Sequence, residues 1–294
     1  MTRCAYARKV FRRYWQIFAR YKNKTREGRG VEPLHRIRTT TRRLRNALWV
    51  FRDIFPKKEL SRWKKILRQL AQITSAARDL DIQIQFLSRI KQQFSRTEYR
   101  PVIENLRRRL QARRQNLQPR IVRALDRATQ SQTRGQLKAF LQQSPPSSAS
   151  EIVHLHQLAK KCIDKRLQKI FHYESYVDRP EAVAELHQLR IAAKHLRYTL
   201  ENFEGLYGKF LTPFTESVRL IQSALGGLHD YDVWIATLPK YRRKSSARPI
   251  WNEAIDQLRE ECKKSRQETY WRFHQLWRDL KRDKIWERLV KGLE

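Results

Sequence analysis

His35, Arg38, Arg42 and Arg45 follow one another at intervals of three, four and three residues, and His187, Arg190, Lys194 and Arg197 repeat those intervals 152 residues later. On a helix turning about 100° per residue, this spacing lines four side chains along one face. Guanidinium groups carry forked N–H donors that match carboxylate or phosphate oxygens, lysine adds a point charge, and a phosphate nearby favours protonated histidine. The chemistry open to such a row is anion binding. Like charges along one stripe repel by about a few tenths of a kcal/mol per i,i+4 pair, so an anion must offset them. Carboxylates are one source, since Glu201 and Glu204 lie close in sequence and Asp79, Asp81, Asp230 and Asp232 recur in both halves. A multivalent anion is the other.

The elements that position these rows are helices. Leu34, Ile37, Thr41, Leu44, Leu48, Phe51 and Phe55 follow a 3-4 spacing and form an apolar stripe. The cationic row is that stripe displaced by one residue. In the second half Leu186, Leu189, Ala193, Leu196, Leu200 and Phe203 form the apolar stripe beside His187, Arg190, Lys194 and Arg197. Arg36 and Arg43 point elsewhere, give way to Gln188 and His195, and read as solvated charge. The match extends well beyond the two rows. At a spacing of 152, Ala7–Tyr21 faces Ala159–Tyr173, and Arg107 and Arg114 face Arg259 and Arg266. At 151, Arg68 faces Arg219 and "RDLDI" (78–82) faces "HDYDV" (229–233). The chain reads as an internal duplication.

Residues 142–150, "QQSPPSSAS", cluster Pro and Ser without charge and read as a linker. The expected organisation is one helical repeat over 1–141 and a second over 151–294, with a basic loop at 239–249 inside the latter. Residues 1–150 hold 37 basic and 9 acidic residues, a net of +28, whereas 151–294 hold 27 and 20, a net of +7. Charge kept at equivalent positions points to a shared role. Charge present in one half alone extends the field of that half and speeds encounter with an anion.

Composition agrees with a folded, all-α protein. The 294 residues are 40% hydrophobic, include only eight Gly, and show no sustained Val/Ile/Thr alternation of the kind a strand needs. With 64 Lys and Arg against 29 acids the net charge is +35, which points to a polyanionic partner. Cys4, Cys162 and Cys262 have no paired spacing and read as reduced cysteines of a cytoplasmic protein. The longest apolar runs, such as "ALWVF" (47–51), fall far short of a membrane span. The Arg-rich, acid-free start of the chain imitates a targeting helix, but its counterpart in mid-chain marks it as the first helix of a repeat.

These residues resemble the CHAD family, the conserved-histidine α-helical domain. The pattern of His, two residues, Arg, three residues, Arg or Lys, two residues, Arg is met twice, and the later Arg-Asp-x-Asp pattern is met by Arg78, Asp79 and Asp81. The second half departs there, with His229 ahead of Asp230 and Asp232. The resemblance covers nearly the whole chain. It implies two four-helix bundles related by a pseudo-twofold axis, with a basic central pore or groove that binds inorganic polyphosphate without catalysis, and association with polyphosphate granules. Many members are fused to a triphosphate tunnel domain with an ExExK motif, which this sequence lacks. Carried onto this chain, the polyphosphate contacts are His35, Arg38, Arg42, Arg45, His187, Arg190, Lys194 and Arg197, then Arg68 with Arg219, then Arg107, Arg114, Arg259 and Arg266. No cofactor or metal is called for.

The chemistry of the polymer suits that assignment. Polyphosphate has charge and spacing and nothing else to read, and a rigid row of cations supplies both. His35 and His187 as contacts predict binding that weakens between roughly pH 6 and 8. A nucleic-acid partner is the main alternative, since pI ≈ 10.8 suits it equally, although no RNP, zinc-finger or recognition-helix pattern is present and Trp49, Phe51, Phe203 and Phe273 fall at core spacings. A metal-dependent phosphohydrolase built on His229, Asp230 and Asp232 is the second. Against it, the matching position carries Arg78, which is no metal ligand, and His154 and His156 have no neighbouring carboxylate to complete a site. The Asp pairs read instead as partners of neighbouring arginines or as helix caps.

Overall fold

A computed structural model describes all residues except 29, 94–95, 131–134, 136–138, 141–149, 244–248 and 294. Residues 142–149 of the expected linker and 244–248 of the basic loop therefore lie outside the described residues, whereas Ser150 already starts a helix and Leu238–Tyr241 form a short 3-10 turn. Described residues form helices and short turns, with no strand. The chain divides into two compact units, Met1–Leu155 and His156–Glu294.

The first unit is built from α1 (Arg3–Arg26), α2 (Glu32–Val50), α3 (Lys57–Gln93), α4 (Arg100–Asn116) and α5 (Gln118–Thr129). Local chemistry sets their ends. Thr2 caps α1 by accepting the Ala5 N–H at 3.0 Å. Gly28, with φ of 72°, lets the chain turn after α1, and prolines open α2, α4 and α5, where the missing N–H costs nothing. Gln118 ties the ends together by donating from Nε2 to the carbonyls of Thr25 (2.8 Å) and Arg26 (3.1 Å). α2 packs against α1 and α3, and α3 also carries α4 and α5. Phe18, Leu34, Ile37, Leu70, Ala77, Ile121, Leu125 and Ala128 form a core between them.

The second unit contains α7 (Val183–Tyr207), α8 (Thr212–Thr237), α9 (Pro249–Arg282) and α10 (Ile285–Lys291). The helix α6 (Ser150–Phe171) carries the boundary between the units within it. α8 packs against both α7 and α9. At 152 residues beyond Pro119, which starts α5 after the break at Leu117, stands Trp271, and there α9 runs on without interruption. A proline removes an N–H donor and crowds the carbonyl four residues back, so one residue type decides between two helices and one.

The apolar stripe of α2 is buried: Leu34, Ile37, Thr41, Leu44, Leu48 and Phe51 are all inside, while Phe55, beyond the helix end, is half-buried. The stripe of α7 is buried as well, from Leu186 to Phe203. Thr41 is accommodated because its hydroxyl donates to the Ile37 carbonyl at 2.7 Å. Cys162 and Cys262 are buried, Cys4 is half-buried, and all three are free thiols. Burial pushes the Cys262 thiol up to about 12, which leaves it unreactive at neutral pH.

Candidate anion-binding faces

On α2 the cationic row lies at the margin of the buried stripe, where a side chain is neither in the core nor free in water. His35, Arg38 and Arg42 are half-buried and Arg45 reaches solvent. α3 supplies the opposite wall. Arg42 donates to the Ser75 hydroxyl at 3.0 Å. Arg78 lies close enough to His35 to be a principal cause of its lowered pKa, after burial and ahead of Arg38 and Arg36, with Glu32 acting in the other direction. The His35 Nδ1 is buried without a hydrogen-bond partner. Arg45 shows the same crowding: burial around its guanidinium lowers its pKa, and the charges of Arg42 and Arg68 lower it further. Cations thus gather against cations here, with Arg68 and Arg78 of α3 joining the α2 row.

The α7 face differs in one position. Where α3 has Arg78, α8 has His229, and the His187 and His229 rings meet with Nδ1 atoms 2.9 Å apart and centroids 4.1 Å apart. One Nδ1 donates and the other accepts, so both rings cannot be protonated while that bond stands. Burial first, then Arg190, His187 and Lys194, push His229 down to about 4. His187 is lowered by burial, Arg190 and Lys194, with Asp232 opposing. A hypothetical Cβ at Gly226 of α8 would stand 3.8 Å from the Arg190 Nε, which shows how closely that side chain lies on α8. Arg197 is occupied within its own helix: its side chain is 14% exposed, sits 3.6 Å from the Glu201 carboxylate and lies over the Tyr198 ring.

The remaining arginines named from sequence do not join these rows as free cations. Arg114 donates to Asp81 at 2.9 Å and Arg266 to Asp232 at 2.5 Å, both pairs largely buried. Arg266 also donates to the Pro180 carbonyl at 2.8 Å. The acids of these pairs are the second Asp of the Arg-Asp-x-Asp pattern, Asp81, and its counterpart Asp232, so their work in the fold is to hold α4 to α3 and α9 to α8. Arg107 grips Glu104 with two donors, at 2.5 and 3.0 Å, and those bonds with Lys91 hold the Glu104 carboxyl near 2. Arg259 donates to the Ile235 carbonyl at 3.3 Å. Arg219 is exposed and paired with Glu216 at 2.6 Å. Arg36 is exposed and held by Glu32 at 2.6 Å, as a solvated charge should be, whereas Arg43 is half-buried and not simply solvated.

Comparison with known families and structures follows the same outline. The CHAD domain model matches residues 9–239. This chain belongs to the CHAD family. Among solved structures, the CHAD chain is similar to the CHAD domain from the plant Ricinus communis, with a TM-score of 0.63 and 20% identity over 91% of this chain and 88% of that one. It is also similar to PptA from Streptomyces chartreusis, with a TM-score of 0.67 and 16% identity over 95% of this chain and 100% of that one. No curated protein matches it. Both CHAD rows fall inside the matched span, whereas Arg259 and Arg266 fall outside it. No described helix is long and apolar enough to cross a membrane.

Sequence reading missed Ser75, Gly226 and the contact between His187 and His229. The doublet Gly226–Gly227 inside a helix was the available signal, since each such glycine costs about 1 kcal/mol relative to alanine and asks for a reason. The His pair gives this chain a pH dependence of definite sign. The folded-state pKa of His229 lies below its ordinary 6.5, so stability is complete above about 6.5 and falls as pH drops toward 4. Melting temperature followed from pH 7.5 to 4.5 should decline across that window, by up to about 3 kcal/mol in stability terms, and His229→Phe should flatten the decline. An unchanged slope in that variant would place the titrating groups elsewhere.

Proposed function

We propose that this protein binds inorganic polyphosphate without catalysis, through the His35, Arg38, Arg42 and Arg45 face with Arg68, and the His187, Arg190 and Lys194 face, with Arg197 and Arg219 held beside it by Glu201 and Glu216. The observation that carries the reading is cation facing cation on rigid helices. His35 is disfavoured as a cation first by burial and then by Arg78 and Arg38, Arg45 by burial and then by Arg42 and Arg68, and His229 by burial and then by Arg190 and Lys194. An anion seated on the face would relieve such crowding, and a linear phosphate polymer answers several guanidinium groups at once. CHAD membership supports the same ligand, because the family resemblance ties these residues to polyphosphate. Association with polyphosphate granules follows from the binding, as a consequence of a ligand stored at high local density.

The rows on α2 and α7 are the primary contacts. Arg107, Arg114 and Arg266 serve chiefly through their carboxylate partners and act on the polymer as distant charge. The histidines enter binding neutral at pH 7, because burial and neighbouring cations lower their pKa. An arriving phosphate raises those pKa values, so affinity should increase as pH falls, and the main increase should sit lower than the pH 6 to 8 range expected from an unperturbed histidine.

Titration with long-chain polyphosphate at two salt concentrations, beside an equal phosphate concentration of duplex DNA, tests the assignment. Affinity should fall steeply with salt because each neutralised phosphate releases counterion, and DNA should compete poorly, since a stiff duplex cannot lay successive phosphates along a single helix face. Ready displacement of polyphosphate by DNA would favour a general nucleic-acid binder instead.

A further inference from the structure

The excess charge of the first unit has a location that the polyphosphate rows do not use. A groove of about 540 Å³ opens between α3 and α5, lined by Gln69, Gln72, Ile73 and Ala76 from α3 and by Leu117, Arg120, Arg123, Ala124 and Arg127. That volume is within the range typical of small-molecule sites, about 300–1,000 Å³. Arg120, Arg123 and Arg127 stand at i, i+3 and i+7 on α5, along about 10 Å of helix. All three are exposed, and among the described residues none has a carboxylate partner. The one acid of α5, Asp126, is turned away to Arg26 of α1 at 2.5 Å. In the second half the positions 152 residues on are Arg272, Gln275 and Asp279, and Gln275 donates to Asp279. The triad is therefore a property of the first unit alone.

The floor of the groove is what separates it from the rows described above. Ile73, Leu117 and Ala124 are the outer edge of the hydrophobic core, packed on it from one side and open on the other. A bare phosphate chain has nothing with which to cover them. A flat ring does, and the two amides of Gln69 and Gln72 each offer a donor and an acceptor to the edge of such a ring. We propose that the groove between α3 and α5 is a second, separate binding site, for a nucleoside di- or triphosphate. Its base lies over Ile73, Ala76, Leu117 and Ala124 within reach of the glutamines, and its phosphates engage Arg120, Arg123 and Arg127.

The test is calorimetric titration of the full chain with ATP and with inorganic tripolyphosphate, which carries the phosphates without the base. It is run in a background of Arg38→Ala, Arg42→Ala, Arg190→Ala and Lys194→Ala, so that the α2 and α7 rows do not contribute. ATP should bind about tenfold more tightly than tripolyphosphate, the gain expected from covering about 50 to 60 Å² of apolar floor at about 25 cal/mol per Å². Ala76→Phe, which fills the floor from an exposed position, should remove that gain and leave tripolyphosphate unchanged. Arg120→Ala with Arg123→Ala and Arg127→Ala should weaken both ligands by tenfold or more. In the otherwise natural protein, Ala76→Phe should leave long-chain polyphosphate affinity within about twofold of the parent, because a bare phosphate chain makes no use of the apolar floor. Equal affinity for ATP and tripolyphosphate, insensitivity of ATP to Ala76→Phe, or no ATP binding at millimolar concentration would each overturn the assignment.

Discussion

Replacing Arg38, Arg42, Arg190 and Lys194 together by alanine should lower the affinity for long-chain polyphosphate by about a thousandfold at moderate salt while leaving the helical content intact. The magnitude follows from four charge-assisted contacts, each reduced by partial exposure to about 1 kcal/mol, hence about 4 kcal/mol in all. Stability is expected to change little because the four side chains lie beside the buried stripes rather than in them. Alanine is also the strongest helix former, and the substitution removes cations that now repel their neighbours. Some loss of packing from the aliphatic stems is expected in return. The control is Arg36→Ala with Arg43→Ala, which removes two charges from the same helix. Arg36 is already held by Glu32 on the exposed side, so this pair should cost less than about tenfold in affinity. The measurement is a binding isotherm for each variant alongside circular dichroism and a thermal melt. Equal losses per charge in the two sets would mean that net charge alone attracts the polymer and that the face has no special role.

The second large effect is on folding. Arg266→Ala should destabilise the protein by about 3 kcal/mol, and Arg114→Ala by a similar amount, because removing one partner of a buried pair strands the other. The side chains of the Arg266–Asp232 pair are 13% and 14% exposed, and those of the Arg114–Asp81 pair 16% and 8%. Arg266→Ala also leaves the Pro180 carbonyl without its donor. Melting temperature should fall by about 6 to 10 °C. In Arg114→Ala the stranded Asp81 matters most at neutral pH. Burial already raises its pKa in the folded protein, and loss of the Arg114 charge raises it further. A carboxyl whose folded pKa exceeds its unfolded value contributes stability at low pH that is lost as pH rises through the folded pKa, so the deficit should be smaller at pH 5 than at pH 7.5. Well below the melting temperature, both variants should keep polyphosphate affinity within a few fold of the parent. A variant that melts normally yet binds far more weakly would return Arg114 or Arg266 to the list of direct contacts.

These two expectations divide the arginines by a criterion that no inspection of the chain alone provides. Spacing along α2 was enough to say that Leu34, Ile37, Leu44 and Leu48 go inside and that His35, Arg38 and Arg42 lie beside them, because the angle between two residues on one helix depends only on how many residues separate them. The same local rule exposes Arg36 and gives it Glu32 four residues away. Recurrence of the row 152 residues later and the lack of strand patterning were equally legible, and with them the all-α class.

Which helix each face meets was not legible. Arg114 and Asp81 are 33 residues apart and Arg266 and Asp232 are 34 apart, so their pairing depends on how α4 packs on α3 and α9 on α8. His187 and His229, 42 residues apart, lose their ordinary basicity only when two helices bring the rings into contact and exclude water. The groove beneath Arg120, Arg123 and Arg127 likewise exists only because α5 settles against α3 with part of the core edge uncovered. Periodicity assigns a residue to a side of its own helix. Distance to another helix, and with it ion pairing, desolvation and pKa, is decided when the side chains of the whole unit pack.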